Sequence, residues 1–150
     1  MTDRRLRLAA TALALLGVAI AAYLTYVHYA ELEPVCGLGG DCERVQTSEY
    51  AEVAGIPVAV LGLGGYLLIL VSLGIRGEAG LLAGATLALV GFGFSAYLTY
   101  LELFVIDAIC QWCVMSAVLM ALSLAVAAGR AFAYTGTGLE TTPLQSGHGR

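Results

Sequence analysis

The fold is decided by the stretch LAATALALLGVAIAAYLTYVHY, residues 8–29, which contains no Asp, Glu, Lys or Arg. Three further stretches of this kind cover about residues 56–75, 80–101 and 110–129. An α-helix needs about 20 apolar residues to cross the hydrocarbon core of a bilayer. The chain of 150 residues is 59% hydrophobic and 12% charged, unlike a soluble domain. The sequence therefore predicts an all-α membrane protein, a bundle of four transmembrane helices.

Polar segments separate the four predicted spans. The longest covers residues 30–55, a short turn covers 76–79, and a link covers 102–109. We expect residues 1–129 to form the membrane domain. The tail, residues 130–150, has little apolar surface, which predicts a disordered cytoplasmic segment.

The arginines indicate how the bundle is oriented, because short cytoplasmic segments retain an excess of Lys and Arg. The chain has no lysine, and one arginine, Arg44, lies in the first connection. The other six lie before the first span, in the second connection or in the tail: Arg4, Arg5, Arg7, Arg76, Arg130 and Arg150. This pattern predicts a multi-pass protein of the cytoplasmic membrane with both termini cytoplasmic.

The first span also has features of a cleaved signal peptide, namely a basic start and small residues near Ala19 and Ala21. Its apolar stretch is longer than that of a signal peptide and suits a span. The span ends in AYLTY, residues 22–26, and the same five letters recur at 96–100 near the end of the third span. These observations favour a retained helix, with both tyrosine pairs at one outer interface.

Four cysteines follow these two helix ends. Cys36 and Cys42 enclose a glycine-rich loop, and Cys110 and Cys113 form a C-x-x-C motif, CQWC, at the start of the fourth span. All four lie on the predicted outer side, where an oxidising compartment permits disulfide chemistry. A thiol in the first turn of a helix faces free N–H groups, which lower its pKa.

Other interpretations of the cysteines remain open. They include purely structural disulfides and a tetrahedral zinc site with four thiolates. Haem attachment requires a histidine directly after the C-x-x-C motif, and that position is Val114. The placement of the motif at a helix start favours redox activity.

The order of these features resembles the vitamin K epoxide reductase family, specifically its bacterial homologues that oxidise thioredoxin-fold proteins. The matching parts are a first span, CGLGGDC at 36–42, ERVQTSEYAEVAGIPVAVLGLGGY at 43–66, two further spans, and CQWC at 110–113. The resemblance covers residues 8–129. The loop between Cys36 and Cys42 is shorter than in the animal enzymes, and Ala117 stands where they have tyrosine.

The resemblance implies an electron relay. Cys36 exchanges disulfides with the partner, Cys42 passes electrons through a transient disulfide with Cys110, and Cys113 reacts with the quinone, menaquinone or ubiquinone. It also implies an active-site hydroxyl at Ser48 and a half-helix lid over the quinone pocket at about residues 45–53. The partners are the bilayer with its quinone and a separate thioredoxin-fold protein of the DsbA type, with no nucleic acid.

Several single residues allow two interpretations. Ser48 either serves the active site or, with Thr47 and Glu52, marks a helix N-terminus. Trp112 either stacks on the quinone or lies at the membrane interface. Glu102 and Asp107 either are solvated carboxylates, or one of them relays protons. For the whole chain, the alternative function is a non-enzymatic membrane scaffold or transporter component with structural disulfides.

Overall fold

The computed structural model describes residues 2–37 and 41–139. Four long helices dominate them: α1 (Thr2–Tyr29), α3 (Val58–Gly74), α4 (Glu78–Leu101) and α5 (Gln111–Leu139). Between α1 and α3 lie a short helix, α2 (Cys42–Gln46), and two antiparallel strands, β1 (Glu52–Val53) and β2 (Ile56–Pro57). Helix α4 continues directly into a π-helical turn, Glu102–Ile106.

The four long helices form a bundle. Helix α1 packs on α3 and α5, and α4 packs on the same two helices, so α1 and α4 occupy opposite corners. The centre of the bundle is closed by Tyr66, whose ring lies so close to Gly17 that a Cβ atom there would collide with it. The Tyr66 hydroxyl donates a hydrogen bond of 2.8 Å to the Ser116 carbonyl. This contact joins α3 to α5 just below the end of the bundle that bears the cysteines.

The outer surface of the bundle suits a lipid environment. In the part of the chain that the structure describes, three helices are long and apolar enough to cross a membrane: Asp3–Tyr29, Glu78–Ile106 and Gln111–Tyr134. Helix α3 is a shorter apolar helix of 17 residues. Large apolar side chains are exposed along the bundle, among them Leu67, Val71, Val90 and Val118. Because soluble proteins rarely expose apolar surface of this extent, the chain is a mostly helical membrane protein.

The predicted disordered tail begins inside a helix, and its boundary at residue 130 is corrected accordingly. Helix α5 runs on to Leu139, through the apolar residues that follow Gly129. Arg130 supports this extension, since its Nε lies 3.3 Å from a carboxylate oxygen of Asp3 on α1. The rest of the predicted tail, residues 140–150, lies outside the described residues.

The predicted half-helix lid at residues 45–53 is also corrected, because α2 already ends at Gln46. The Thr47 hydroxyl donates to the Glu43 carbonyl and the Ser48 hydroxyl donates to the Val45 carbonyl, each at 2.8 Å. These bonds satisfy carbonyl groups that a longer helix would use. Ser48 thus follows the end of a helix, and the alternative that it marks a helix N-terminus is wrong.

A hairpin replaces the second half of the expected lid. Strands β1 and β2 are joined by the two residues Ala54 and Gly55, whose φ angles are 54° and 78°. Two-residue hairpin turns need positive φ at these positions, and glycine adopts it without a steric penalty. The segment between α1 and α3 is therefore a short helix followed by a tight hairpin.

Candidate active site

All four cysteines meet at one end of the bundle. Cys36 and Cys42 form a disulfide with their Cα atoms 6.1 Å apart, and Cys110 and Cys113 are free thiols. The side chains of Cys42 and Cys110 are 1% and 0% exposed and belong to one buried cluster, against which Cys36 and Cys113 pack. The two pairs, distant in sequence, are therefore neighbours in space.

A backbone hydrogen bond aligns the two pairs. The Asp41 N–H donates to the Ile109 carbonyl at 3.2 Å. These residues directly precede Cys42 and Cys110, so the bond brings the two buried cysteines side by side. Cys36 and Cys113 are each partly exposed, whereas Cys42 and Cys110 are buried.

The first turn of α5 acts on the Cys110 sulfur. Cys110 precedes the helix, and its carbonyl accepts the Val114 N–H at 3.0 Å, which makes it the N-cap residue. The pKa of the Cys110 thiol is lowered from 9.0 to about 7, chiefly by a hydrogen bond from the Cys113 thiol and against the opposing effect of burial. The N–H groups of Cys113 and Trp112 contribute to this lowering, whereas the Glu102 carboxylate opposes it. Cys110 is therefore the thiol of the pair that ionises near neutral pH.

Removal of the Cys113 donor is expected to raise the pKa of Cys110. A depressed pKa of about 7 means that the thiolate prevails above that pH and is lost as the pH falls through it. Cys113→Ala deletes the thiol that donates, so the titration midpoint moves upward; Cys113→Ser keeps a donor and leaves the midpoint near that of the wild type. Ultraviolet absorbance of the thiolate, with the Cys36–Cys42 disulfide intact, measures this. Equal midpoints in the alanine variant and the wild type would contradict the assigned cause.

The loop that bears Cys36 is tied to the start of α5. The Gly37 N–H donates to Gln111 Oε1 at 3.0 Å, and the Trp112 indole N–H donates to the Val35 carbonyl at 2.8 Å. The Val35 N–H donates in turn to the Tyr23 hydroxyl at 2.9 Å, near the end of α1. Both residues between Cys110 and Cys113 therefore hold the loop of the other cysteine pair.

These contacts turn Trp112 toward the loop. Its ring centroid lies 4.9 Å from that of Tyr23, and the side chain is absent from the lining of the cavity described next. The expectation that Trp112 stacks on a quinone is therefore not matched by its position. Tyr23, which the repeated AYLTY had marked as an interfacial side chain, supports both the tryptophan ring and the loop.

An apolar cavity of about 150 Å³ lies beneath the cysteine cluster, enclosed by the long helices and the segment after α2. Most of its lining is aliphatic or aromatic, and Cys113 and Ser48 both reach it. An apolar cavity of roughly this volume holds a benzene ring in an engineered protein. Its size and lining therefore fit the ring of a quinone whose apolar tail extends into the bilayer.

Gln46 is a residue at this cavity that the sequence analysis missed. Its Nε2 lies 3.8 Å from Cys113 Sγ, within the range for a weak hydrogen bond to sulfur. It follows Cys42 by four residues, and side chains with this spacing lie on one face of a helix. That spacing is a signal that would have identified Gln46, had α2 been predicted to begin at Cys42.

The structure distinguishes the two carboxylates near the C-x-x-C motif. Glu102, at the start of the π-helical turn, is 4% exposed and lines the cavity, and one of its oxygens accepts the Cys110 N–H at 3.2 Å. Its carboxylate also makes a hydrogen bond with the Cys113 thiol. Asp107 is exposed and ends the turn with a φ of 52°.

The model of the vitamin K epoxide reductase family matches residues 8–128. Because the match covers most of the chain, the protein belongs to the vitamin K epoxide reductase family. This is a family of membrane thiol–disulfide oxidoreductases, generally linked to quinones and to thioredoxin-like partners. The matched region includes all four cysteines and the four long helices as far as residue 128.

Proposed function

We propose that the protein is a membrane thiol:quinone oxidoreductase that reoxidises an extracytoplasmic thioredoxin-fold protein and so supports disulfide bond formation. The observation that carries this proposal is the convergence of two cysteine pairs in one buried cluster, with Cys113 reaching an apolar cavity. One pair has an exposed end and the other an end directed to the membrane interior. A chain of thiol exchanges from an aqueous partner to a membrane acceptor requires this arrangement.

The outer pair receives the electrons. A thiolate of the reduced partner attacks Cys36, the partly exposed sulfur of the Cys36–Cys42 disulfide, and Cys42 leaves as a thiolate. A second thiol of the partner then displaces Cys36. The partner departs as a disulfide, and both outer cysteines are reduced.

The inner pair passes the electrons on. When Cys110 and Cys113 are oxidised, the Cys42 thiolate attacks Cys110 and forms a transient Cys42–Cys110 disulfide, and Cys113 leaves as a thiolate. Cys36 then attacks Cys42, and Cys110 leaves. The lowered pKa of Cys110, to about 7, favours this second exchange because it makes Cys110 a better leaving group. The products are the Cys36–Cys42 disulfide and the reduced inner pair, the combination of a disulfide and two free thiols described above.

The cavity next to Cys113 is the proposed quinone site. Ser48 and Gln46 bring a hydroxyl and an amide to a mostly apolar lining. The Gln46 amide has a second N–H with which to donate to a quinone oxygen, and the Ser48 hydroxyl donates to one when it turns away from the Val45 carbonyl. A bound quinone supplies the two-electron acceptor for the inner pair. The apolar lining accepts the ring of menaquinone or of ubiquinone, so both are proposed acceptors.

In this proposal all four long helices span the membrane, with α3 as the shortest, and both termini are cytoplasmic. Two polar contacts at the end of the bundle away from the cysteines support it. Arg7 donates to the Leu73 carbonyl at 2.6 Å, and Arg130 pairs with Asp3. Arginines at one end and redox cysteines at the other match the charge asymmetry of a cytoplasmic and an outer side.

The test is a quinone reduction assay. Purified protein is mixed with a reduced thioredoxin-fold oxidase and either menaquinone or ubiquinone analogues, and the quinone absorbance is followed. We expect the absorbance to fall at a rate proportional to protein concentration, and thiol trapping to show a mixture of redox states that depends on quinone supply. A folded protein that reduces neither quinone and keeps fully oxidised cysteines would instead be a membrane scaffold with structural disulfides.

A further inference from the structure

The Glu102 carboxylate is buried beside the reactive thiols, and no cation of residues 2–37 or 41–139 forms an ion pair with it. The ion pairs of the described residues join His28 to Glu52 and Arg130 to Asp3, and neither involves Glu102. Burial of an ionisable side chain without a counter-charge costs free energy, and within a membrane segment it points to a functional role. The groups that Glu102 contacts are the Cys110 N–H and the Cys113 thiol.

The position of the Cys113 thiol between two acceptors suggests that role. On one side it donates to the Cys110 sulfur, and on the other it lies in hydrogen-bond contact with the Glu102 carboxylate. Glu102 and Cys113 both line the mostly apolar cavity, so the carboxylate and the thiol face the same space. A proton that leaves Cys113 therefore has a carboxylate acceptor in direct contact.

We propose that Glu102 is a catalytic proton acceptor, which takes the Cys113 thiol proton as the inner pair is oxidised and holds it on its carboxylate at the cavity wall. This inference rests on the proposed function. Oxidation of the reduced pair breaks two S–H bonds, or one if Cys110 is already a thiolate, and forms one S–S bond. The two electrons go to the quinone named above, which becomes quinol with two protons. Glu102 supplies the proton that it took from Cys113, and the second proton comes from the Cys110 thiol or, where Cys110 is already a thiolate, from water.

The local backbone explains why Glu102 rather than Asp107 has this position. The π-helical turn widens the helix where Glu102 begins it, and the Glu102 carbonyl accepts the N–H groups of both Asp107 and Ala108. Asp107 then adopts the left-handed conformation that ends the turn, with its side chain exposed. Of the two carboxylates, Glu102 is the one that reaches the thiols.

The test compares Glu102→Gln with Asp107→Asn, and two readouts move in opposite directions. Gln keeps an oxygen for the Cys110 N–H but accepts no proton, so quinone reduction is expected to fall by about 100-fold, the usual contribution of a general base. Loss of the negative charge is expected to shift the Cys110 thiolate titration to lower pH, because this carboxylate disfavours the thiolate. A slower reaction despite more thiolate is the pattern of a lost proton acceptor. Asp107→Asn should leave both readouts at wild-type values.

Infrared difference spectroscopy on the wild type adds a measurement that needs no Glu102 variant. When the inner pair is oxidised by an acceptor that takes electrons without protons, such as ferricyanide, Glu102 is expected to keep the proton and to show the C=O band of a protonated carboxyl group, and the band should persist in Asp107→Asn. An unchanged reduction rate or an unshifted titration in Glu102→Gln, or no such band in the wild type, overturns the inference. If the wild type reduces quinone in those cases, the proposed function still stands. A wild type that reduces no quinone removes both.

Discussion

Cys113→Ala is expected to lower quinone reduction to the rate measured without protein, while the Cys36–Cys42 disulfide remains reducible by the thioredoxin-fold partner. Cys113 is the cysteine that lines the apolar cavity, so its loss separates the electron acceptor from the cysteine chain. The outer pair lies on the far side of the cluster and keeps its own contacts with the start of α5. Quinone absorbance and thiol trapping, recorded on the same sample, measure the two effects.

A matched control for this variant is Val114→Ala. Val114 is the next residue of α5, and its side chain is exposed away from the cavity. This control is expected to keep the wild-type rate, and thermal unfolding of both variants checks that each is folded. Normal turnover in Cys113→Ala would remove this cysteine, and with it the cavity, from the pathway of the electrons.

The double variant Cys36→Ala/Cys113→Ala is expected to accumulate a Cys42–Cys110 disulfide almost completely under mild oxidation. The two remaining cysteines lie in one buried cluster, and the hydrogen bond from Asp41 to Ile109 aligns the residues before them. Both cysteines that would resolve the bond are absent, so it persists once formed. Mass spectrometry after proteolysis identifies the linked peptides.

The complementary double variant, Cys42→Ala/Cys113→Ala, controls for non-specific oxidation. It leaves Cys36 and Cys110, of which Cys36 is partly exposed and Cys110 fully buried. We expect little intramolecular disulfide in this variant. Equal yields of bridged protein from the two double variants would show that the outer loop moves freely, and would contradict an ordered handover through Cys42.

The membrane character and the cysteine pairs could be predicted from the sequence because both depend on local composition. An uncharged stretch of about 20 residues has few alternatives to a membrane helix. The C-x-x-C motif lies at the start of α5, as predicted from the position of the fourth apolar stretch. The family resemblance that these features suggested agrees with the match over residues 8–128.

Two predictions about secondary structure were wrong, the half-helix lid at residues 45–53 and the start of the disordered tail at residue 130. Each depends on hydrogen bonds or contacts that the pattern of apolar residues does not show. The hydroxyl groups of Thr47 and Ser48 bond to preceding carbonyls, and a turn at Ala54 and Gly55 follows, so no half-helix forms over residues 45–53. At the C-terminal end, the helix continues past Gly129, and Arg130 contacts Asp3, a residue more than a hundred positions away. A contact between residues so far apart in the chain cannot be predicted from the local sequence.

The candidate site was likewise only partly predictable. Glu102 and Asp107 are equivalent acidic residues in the sequence, and the π-helical turn between them separates a buried carboxylate from an exposed one. Trp112 lies within the predicted motif, but its indole N–H donates to the Val35 carbonyl, in a loop that is distant in sequence. Side-chain direction at the start of a helix depends on what packs there, and spacing alone does not contain that information.

The hydrogen bonds of Gln111 and Trp112 to the loop of the outer cysteine pair give the residues between Cys110 and Cys113 a second role. In C-x-x-C oxidoreductases the surroundings of the two thiols set their pKa values and the reduction potential of the pair. Here the two residues between Cys110 and Cys113 also form hydrogen bonds with Gly37 and Val35, in the loop of the other cysteine pair. Replacement of Gln111 and Trp112 by other residues would therefore change two properties at once. These are the reduction potential of the inner cysteine pair and the exchange of electrons between that pair and the outer one. In the proposed relay, Gln111 and Trp112 therefore also hold the outer cysteine pair next to the inner pair.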